Sequence, residues 1–163
     1  MPSESHFVYW DACVFTSYLN KVPDRIGVIT ALLEEIENSK QDKIVTSIIS
    51  RVEVAYTAEE KVNRALNDDE EARINALWAD SSVIELAEIN EEVCNLARNI
   101  MRHAITRGWS LKPIDAIHLA TAQWVQSREI NTYDMDDLKK YEEIMKIPIR
   151  QPMTMTPRLI TEI

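Results

Sequence analysis

Four acidic residues of this 163-residue sequence stand where carboxylates could work together: Asp11, Glu53, Asp115 and Asp134. Asp11 closes HFVYW, an aromatic and β-branched run that reads as a buried strand. Asp134 lies just beyond INT (130–132), which reads as a very short strand. Asp115 falls in the first turn of the helix opened by PIDAIHLATA, at its third position if Lys112 is the N-cap. Glu53 shares a helical face with Ile49 and Tyr56, so it lies on or beside an apolar face, where an unpaired carboxylate is costly. Singly, each has a plain reading as a turn residue, a helix-dipole acid or half of an ion pair. Gathered at one rim they would repel, by about 4 kcal/mol per pair at 4 Å and an effective dielectric near 20. Such a cluster persists by protonating or by binding a cation. All-oxygen ligands suit a hard ion, Mg²⁺ or Mn²⁺, which can activate water and stabilise charge on a phosphate.

The elements that must position these acids alternate between strand and helix. Strands are expected at 6–10, 43–47, 81–87 and 130–132, with KIPIRQP as an edge strand because its prolines bar it from the middle of a sheet. Helices are expected over 12–19 and 25–38, and after Ser47 with Ile48, Ile49, Val52 and Tyr56 on one face. A short acidic-started helix should follow Asn67. A long one runs from Asn90 to Gly108, then 113–126, then a polar helix over about 136–145. The pattern predicts an α/β fold: one domain with a mostly parallel central sheet flanked by helices on both faces, over 1–150, and a C-terminal tail, 151–163, without clear period. In such sheets the functional crevice lies outside the C-terminal ends of the strands, where Asp11 and Asp134 should fall.

Composition narrows the class. Acids outnumber bases 27 to 18, giving a net charge of −9, which opposes non-specific nucleic-acid binding unless a basic strip or a bound cation supplies local positive charge. Two glycines argue against a Gly-rich phosphate cradle. Cys13 and Cys94 have no CxxC spacing and read as reduced thiols of a cytoplasmic protein. No segment approaches a membrane span, so no membrane partner is expected.

Four segments resemble the PIN-domain family of metal-dependent ribonucleases, and within it the VapC-like toxins of toxin–antitoxin pairs. VYWDACVF is similar to the family's opening strand and its Asp, and VTSIISRVEVAY to its second strand and Glu-bearing helix. LKPIDAIHLATA is similar to its Pro-x-Asp-Ala-x-His-Leu-Ala-x-Ala helix, and INTYDMDDL to its late strand followed by Thr-x-Asp. The resemblance implies that Asp11, Glu53, Asp115 and Asp134 bind Mg²⁺ or Mn²⁺, with Asp11 and Asp115 the most direct ligands. Thr132 would orient a carboxylate or a cation-bound water. The implied reaction is hydrolysis of an RNA phosphodiester by metal-activated water. The implied partners are an RNA substrate, a cognate antitoxin and a second copy of the chain. Cys13 departs from the small polar residue usual two positions after the first Asp, and Asp136 and Asp137 rival Asp134.

Other residues carry plainer readings. His118, three after Asp115, is read as making a structural hydrogen bond. Arg98 and Arg102 read as solvated charge, whereas Lys112 and Arg51 neighbour the site and are better placed for substrate contact. Trp10 and Trp124 read as core. The alternative to a nuclease is a catalytically weak or inactive PIN-like module that binds a protein through its acidic rim. Cys13 favours that alternative, and retention of the full acidic quartet opposes it.

Overall fold

The structure, a computed structural model, describes residues 5–154. Its centre is a five-stranded, wholly parallel sheet in the order β3-β2-β1-β4-β5. The strands are β1 Phe7–Trp10, β2 Lys43–Ser47, β3 Ile84–Ala87, β4 Glu129–Asn131 and β5 Ile149–Arg150. The first strand is therefore central, paired with β2 through Val8↔Ile44 and with β4 through Trp10↔Asn131. As expected from its prolines, β5 is an edge strand.

The helices divide between the two faces. On one, α1 (Ala12–Leu19), α2 (Ile26–Ser39) and α5 (Asp68–Ala79) pack Phe15, Ile29, Leu32 and Leu77 against Val8, Trp10 and Ile44. On the other, α6 (Glu91–Thr106) and α7 (Pro113–Trp124) pack Val93, Ile100, Ala116 and Leu119 against Tyr9, Val45 and Ile130. The period of two along a strand sends Val8 and Trp10 to one core and Tyr9 to the other. That same period puts Tyr9 on the side of Asp11.

Helix boundaries follow capping chemistry. The Asn67 side chain accepts from the Asp69 and Glu70 N–H groups, and Asn90 accepts from Val93 N–H at 2.9 Å. The chain leaves α6 through Gly108, whose φ of +72° suits a residue without Cβ. Lys112 is the N-cap of α7 and Pro113 its first residue, so Asp115 is its third.

Several expectations need correction. The helix after Ser47 is a single turn, α3 (Ser50–Glu53). Ser50 Oγ bonds Thr46 Oγ1 at 2.7 Å, and a new helix, α4 (Ala58–Asn63), starts at Thr57 with a capping box to Glu60. Ile48, Val52 and Tyr56 are exposed, so their helical spacing marks no core face. The polar helix expected over 136–145 is broken into α8 (Met135–Leu138), a 3-10 turn (Lys139–Tyr141) and α9 (Glu142–Met145). The third strand starts at Ile84, because Asp80 ties 80–83 into a turn through Ser82. Helix α7 ends at Trp124, which is exposed and not core. The end of the expected tail, 155–163, lies outside the described residues. No helix among the described residues is long and apolar enough to cross a membrane.

Candidate metal centre and active site

The end of β1 delivers Asp11 to the C-terminal rim, where its backbone N–H bonds Asn131 O at the end of β4. The Asp11 side chain is buried and accepts two hydrogen bonds, from Thr132 Oγ1 at 2.6 Å and from Cys13 Sγ at 2.7 Å. Thr132, fully buried, accepts in turn from the Asp134 N–H at 3.0 Å. One threonine hydroxyl thus joins the first strand's acid to the backbone of the fourth strand's acid. Cys13 fills its unusual place fully: it donates to Asp11 and accepts from Tyr133 N–H at 3.2 Å. Burial first, then the Asp11 charge, pushes the Cys13 thiol up to about 12, so it stays a donor at neutral pH.

Burial pushes the Asp11 carboxyl above its ordinary range, against the lowering effect of both donated hydrogen bonds and of His118, while Glu53 raises it further. Asp115 is half-buried and also raised, first by burial and then by Asp134 and Glu53, with His118 and Lys112 opposing. Asp115 therefore feels Asp134 and Glu53, and Asp11 feels Glu53. Glu53 meets His118 directly, and Asp11 and Asp115 both lie within reach of the charges of His118 and Glu53, as Asp115 does of Asp134.

Glu53 is the last residue of one-turn α3, not an acid set in a buried helical face. Its Oε1 meets His118 Nε2 at 2.5 Å, and the other ring nitrogen, Nδ1, lies 2.6 Å from Tyr9 Oη. The structural hydrogen bond expected of His118 is therefore made to a candidate ligand. Composition gave no hint of Tyr9. The strand's period of two, which puts residues 9 and 11 on one side, is the feature that could have found it.

The remaining candidates are placed as follows. Asp134 is exposed, and among the described residues its carboxylate has no hydrogen-bond partner. Asp136 and Asp137 are exposed on α8, and Asp137 acts on Tyr141, a buried residue whose hydroxyl has no partner among the described residues. Lys112 is exposed beside Asp115, while Arg51 is exposed on α3. Arg98 and Arg102 border a separate groove of about 380 Å³ with Met101, Pro113 and Ile117.

The donor set suits a hard cation: carboxylate oxygens, two of them raised by burial, with no Lys or Arg in an ion pair with Asp11 or Asp115 among the described residues. No three His, Cys, Asp or Glu side chains among those residues stand as a finished metal cage.

The model of the PIN domain matches residues 8–144, most of the chain. The chain belongs to the PIN-domain family. No curated protein matches its sequence. Among solved structures, this PIN domain is similar to a chain of VapBC2 from Rickettsia felis, bound there to a DNA fragment from its promoter, with a TM-score of 0.65 at 14% identity. That match covers 89% of this chain and 98% of the other. FitAcB from Neisseria gonorrhoeae gives 0.63 at 17% identity, covering 89% and 97%. VapC20 from Mycobacterium tuberculosis, a toxin that cleaves the sarcin–ricin loop, gives 0.54 at 15% identity, covering 79% and 91%. At these identities the likeness is one of fold.

Proposed function

We propose that this PIN domain is a Mg²⁺- or Mn²⁺-dependent endoribonuclease and the toxin of a toxin–antitoxin pair. The observation that carries the reading is the arrangement around Asp11: a buried carboxylate that feels the Glu53 charge, is hydrogen-bonded by neutral groups and, among the described residues, has no Lys or Arg in an ion pair with it. Asp11 and Asp115 would hold the cation, and Glu53 and Asp134 would hold waters around it. A cation bound there supplies an activated water and positive charge for the phosphate oxygens. Thr132 and Cys13 keep the Asp11 oxygens aimed, and exposed Lys112 meets an incoming phosphate beside Asp115. No residue of the chain needs to form a covalent intermediate. Support for a protein partner comes from the similar structures, one of which is a toxin–antitoxin complex from Klebsiella pneumoniae. An apolar groove of about 680 Å³, lined by Leu19, Leu33, Leu77 and Ile84, offers a surface for a partner's segment. Its lining includes none of the four candidate acids.

The test is incubation of purified protein with structured RNAs, with Mn²⁺, with Mg²⁺ and with chelator, alongside Asp115→Asn. Cleavage that needs the divalent ion and disappears in the variant is expected. Equal cleavage by both proteins would sink the site. The alternative is a PIN module that binds a protein through its acidic rim without cutting. A folded wild type that cleaves no RNA under any divalent condition, yet captures a partner, would decide for it.

A further inference from the structure

Glu53 has little to hold it in place by packing. It ends a one-turn helix, its side chain is 28% exposed, and its neighbours Arg51 and Val52 face solvent. A glutamate in such a setting samples many rotamers. Its Oε1 is nevertheless anchored to His118, which is buried, and His118 is anchored to Tyr9, which is fully buried in the central strand.

Donor and acceptor roles along this chain are determined by its inner end. The Ser47 backbone N–H, which can only donate, lies 3.1 Å from Tyr9 Oη, so that oxygen accepts there. Tyr9 is fully buried, and its phenol has one proton to donate. The phenol proton then goes to the nearest ring nitrogen, His118 Nδ1, at 2.6 Å. A neutral His118 ring so occupied carries its own proton on Nε2, facing Glu53 Oε1 at 2.5 Å.

We propose that Tyr9 and His118 are positioning residues that fix Glu53 from the backbone of β2, holding Oε1 and leaving Oε2 for the cation's waters. The proposal rests on the cation-binding reading above. The run Ser47 N–H, Tyr9, His118, Glu53 crosses from β2 through β1 to α7 and out to α3. Ser50 and Val54 hold the backbone of α3 against the core, and the run fixes the Glu53 side chain. Metal-ligating side chains commonly depend on such outer partners, whose loss lowers metal affinity about 10- to 100-fold.

The experiment measures Mn²⁺ binding to the purified chain by titration, without RNA, for wild type, Tyr9→Phe, His118→Leu and His118→Gln. Far-UV circular dichroism and melting confirm that each variant is folded. Binding should weaken roughly 10- to 100-fold in His118→Leu and less in Tyr9→Phe. His118→Gln, which keeps an N–H near the place of Nε2, should recover much of the loss. ¹⁵N NMR of His118 at pH 8 should show the proton on Nε2 in the wild type, with the Nδ1 resonance shifting in Tyr9→Phe. Unchanged Mn²⁺ affinity in folded His118→Leu, or a wild type that binds no Mn²⁺, overturns the positioning role. A proton on Nδ1 overturns the assigned direction. A chain that binds Mn²⁺ through this relay but cuts no RNA would end the nuclease reading and leave the relay standing.

Discussion

Asp11 and Glu129 are both buried carboxylates on neighbouring strands, and the fold treats them in opposite ways. Glu129, at the start of β4, has Arg150 of β5 as an ion-pair partner and accepts from Asn131 Nδ2. Asp11, beyond the end of β1, has neutral donors on both oxygens and feels the like charge of Glu53. A buried charge paired by the chain itself is complete. One left among like charges is held ready for a cation that the chain does not provide. On the proposed function, the difference separates a structural acid from a functional one by surroundings alone, since both are buried carboxylates.

Substitutions can break this contrast. The largest effect is expected for Asp11→Asn, which should lower divalent-dependent cleavage by about 10²–10³-fold, measured as kcat/KM on a cleaved RNA. Glu129→Gln should leave cleavage near wild type and act on stability. Loss of a hydrogen bond between charged groups costs about 1.5–3 kcal/mol, read as a lower urea midpoint at unchanged m. Were Glu129→Gln to abolish cleavage in a stable protein, the division would be wrong.

A smaller effect belongs to the link between strands. Thr132→Val removes the hydroxyl that donates to Asp11 and accepts from Asp134 N–H, leaving buried groups unpaired. It should destabilise by roughly 1–3 kcal/mol, and Thr132→Ser should restore most of that in the same denaturation assay.

The smallest change sharpens the comparison by its sign. Asp115 has no hydrogen-bond partner among the described residues, and burial and its acidic neighbours raise its pKa in the folded chain. The folded state therefore binds that proton more tightly than the unfolded one. Stability falls as pH climbs through the unfolded Asp range near about 4, and the deficit persists above the folded pKa. Asp115→Asn should melt higher at pH 7, by on the order of 2 °C, and the gain should vanish below about pH 3. Saturating Mn²⁺ should raise the wild-type Tm and move the variant much less.

Much of this was legible in the chain itself. The run HFVYWD marks a strand ending in an acid, and Lys112-Pro113 places Asp115 in a first helical turn. Asn67, Asn90 and Gly108 mark helix ends because caps act over three or four residues. The extent of α3 was not legible. Ile48, Val52 and Tyr56 repeat at helical spacing, yet they face solvent at the sheet's rim, and periodicity cannot say which face meets a core. Nor was the role of Cys13, which looks a poor donor by type and becomes a fitting one at 2.7 Å from Asp11.

The sequence by itself determined the alternation of strands and helices, the parallel sheet that follows from it, and the acids at its strand and helix ends, because all of these depend on local periodicity and capping. Only the tertiary structure decided which acids receive a partner. Glu129 meets Arg150 and Asp11 does not, and Glu53 meets a histidine sixty-five residues away. Those outcomes depend on strand order and register, which bring distant side chains within hydrogen-bond reach and which no short stretch of sequence contains.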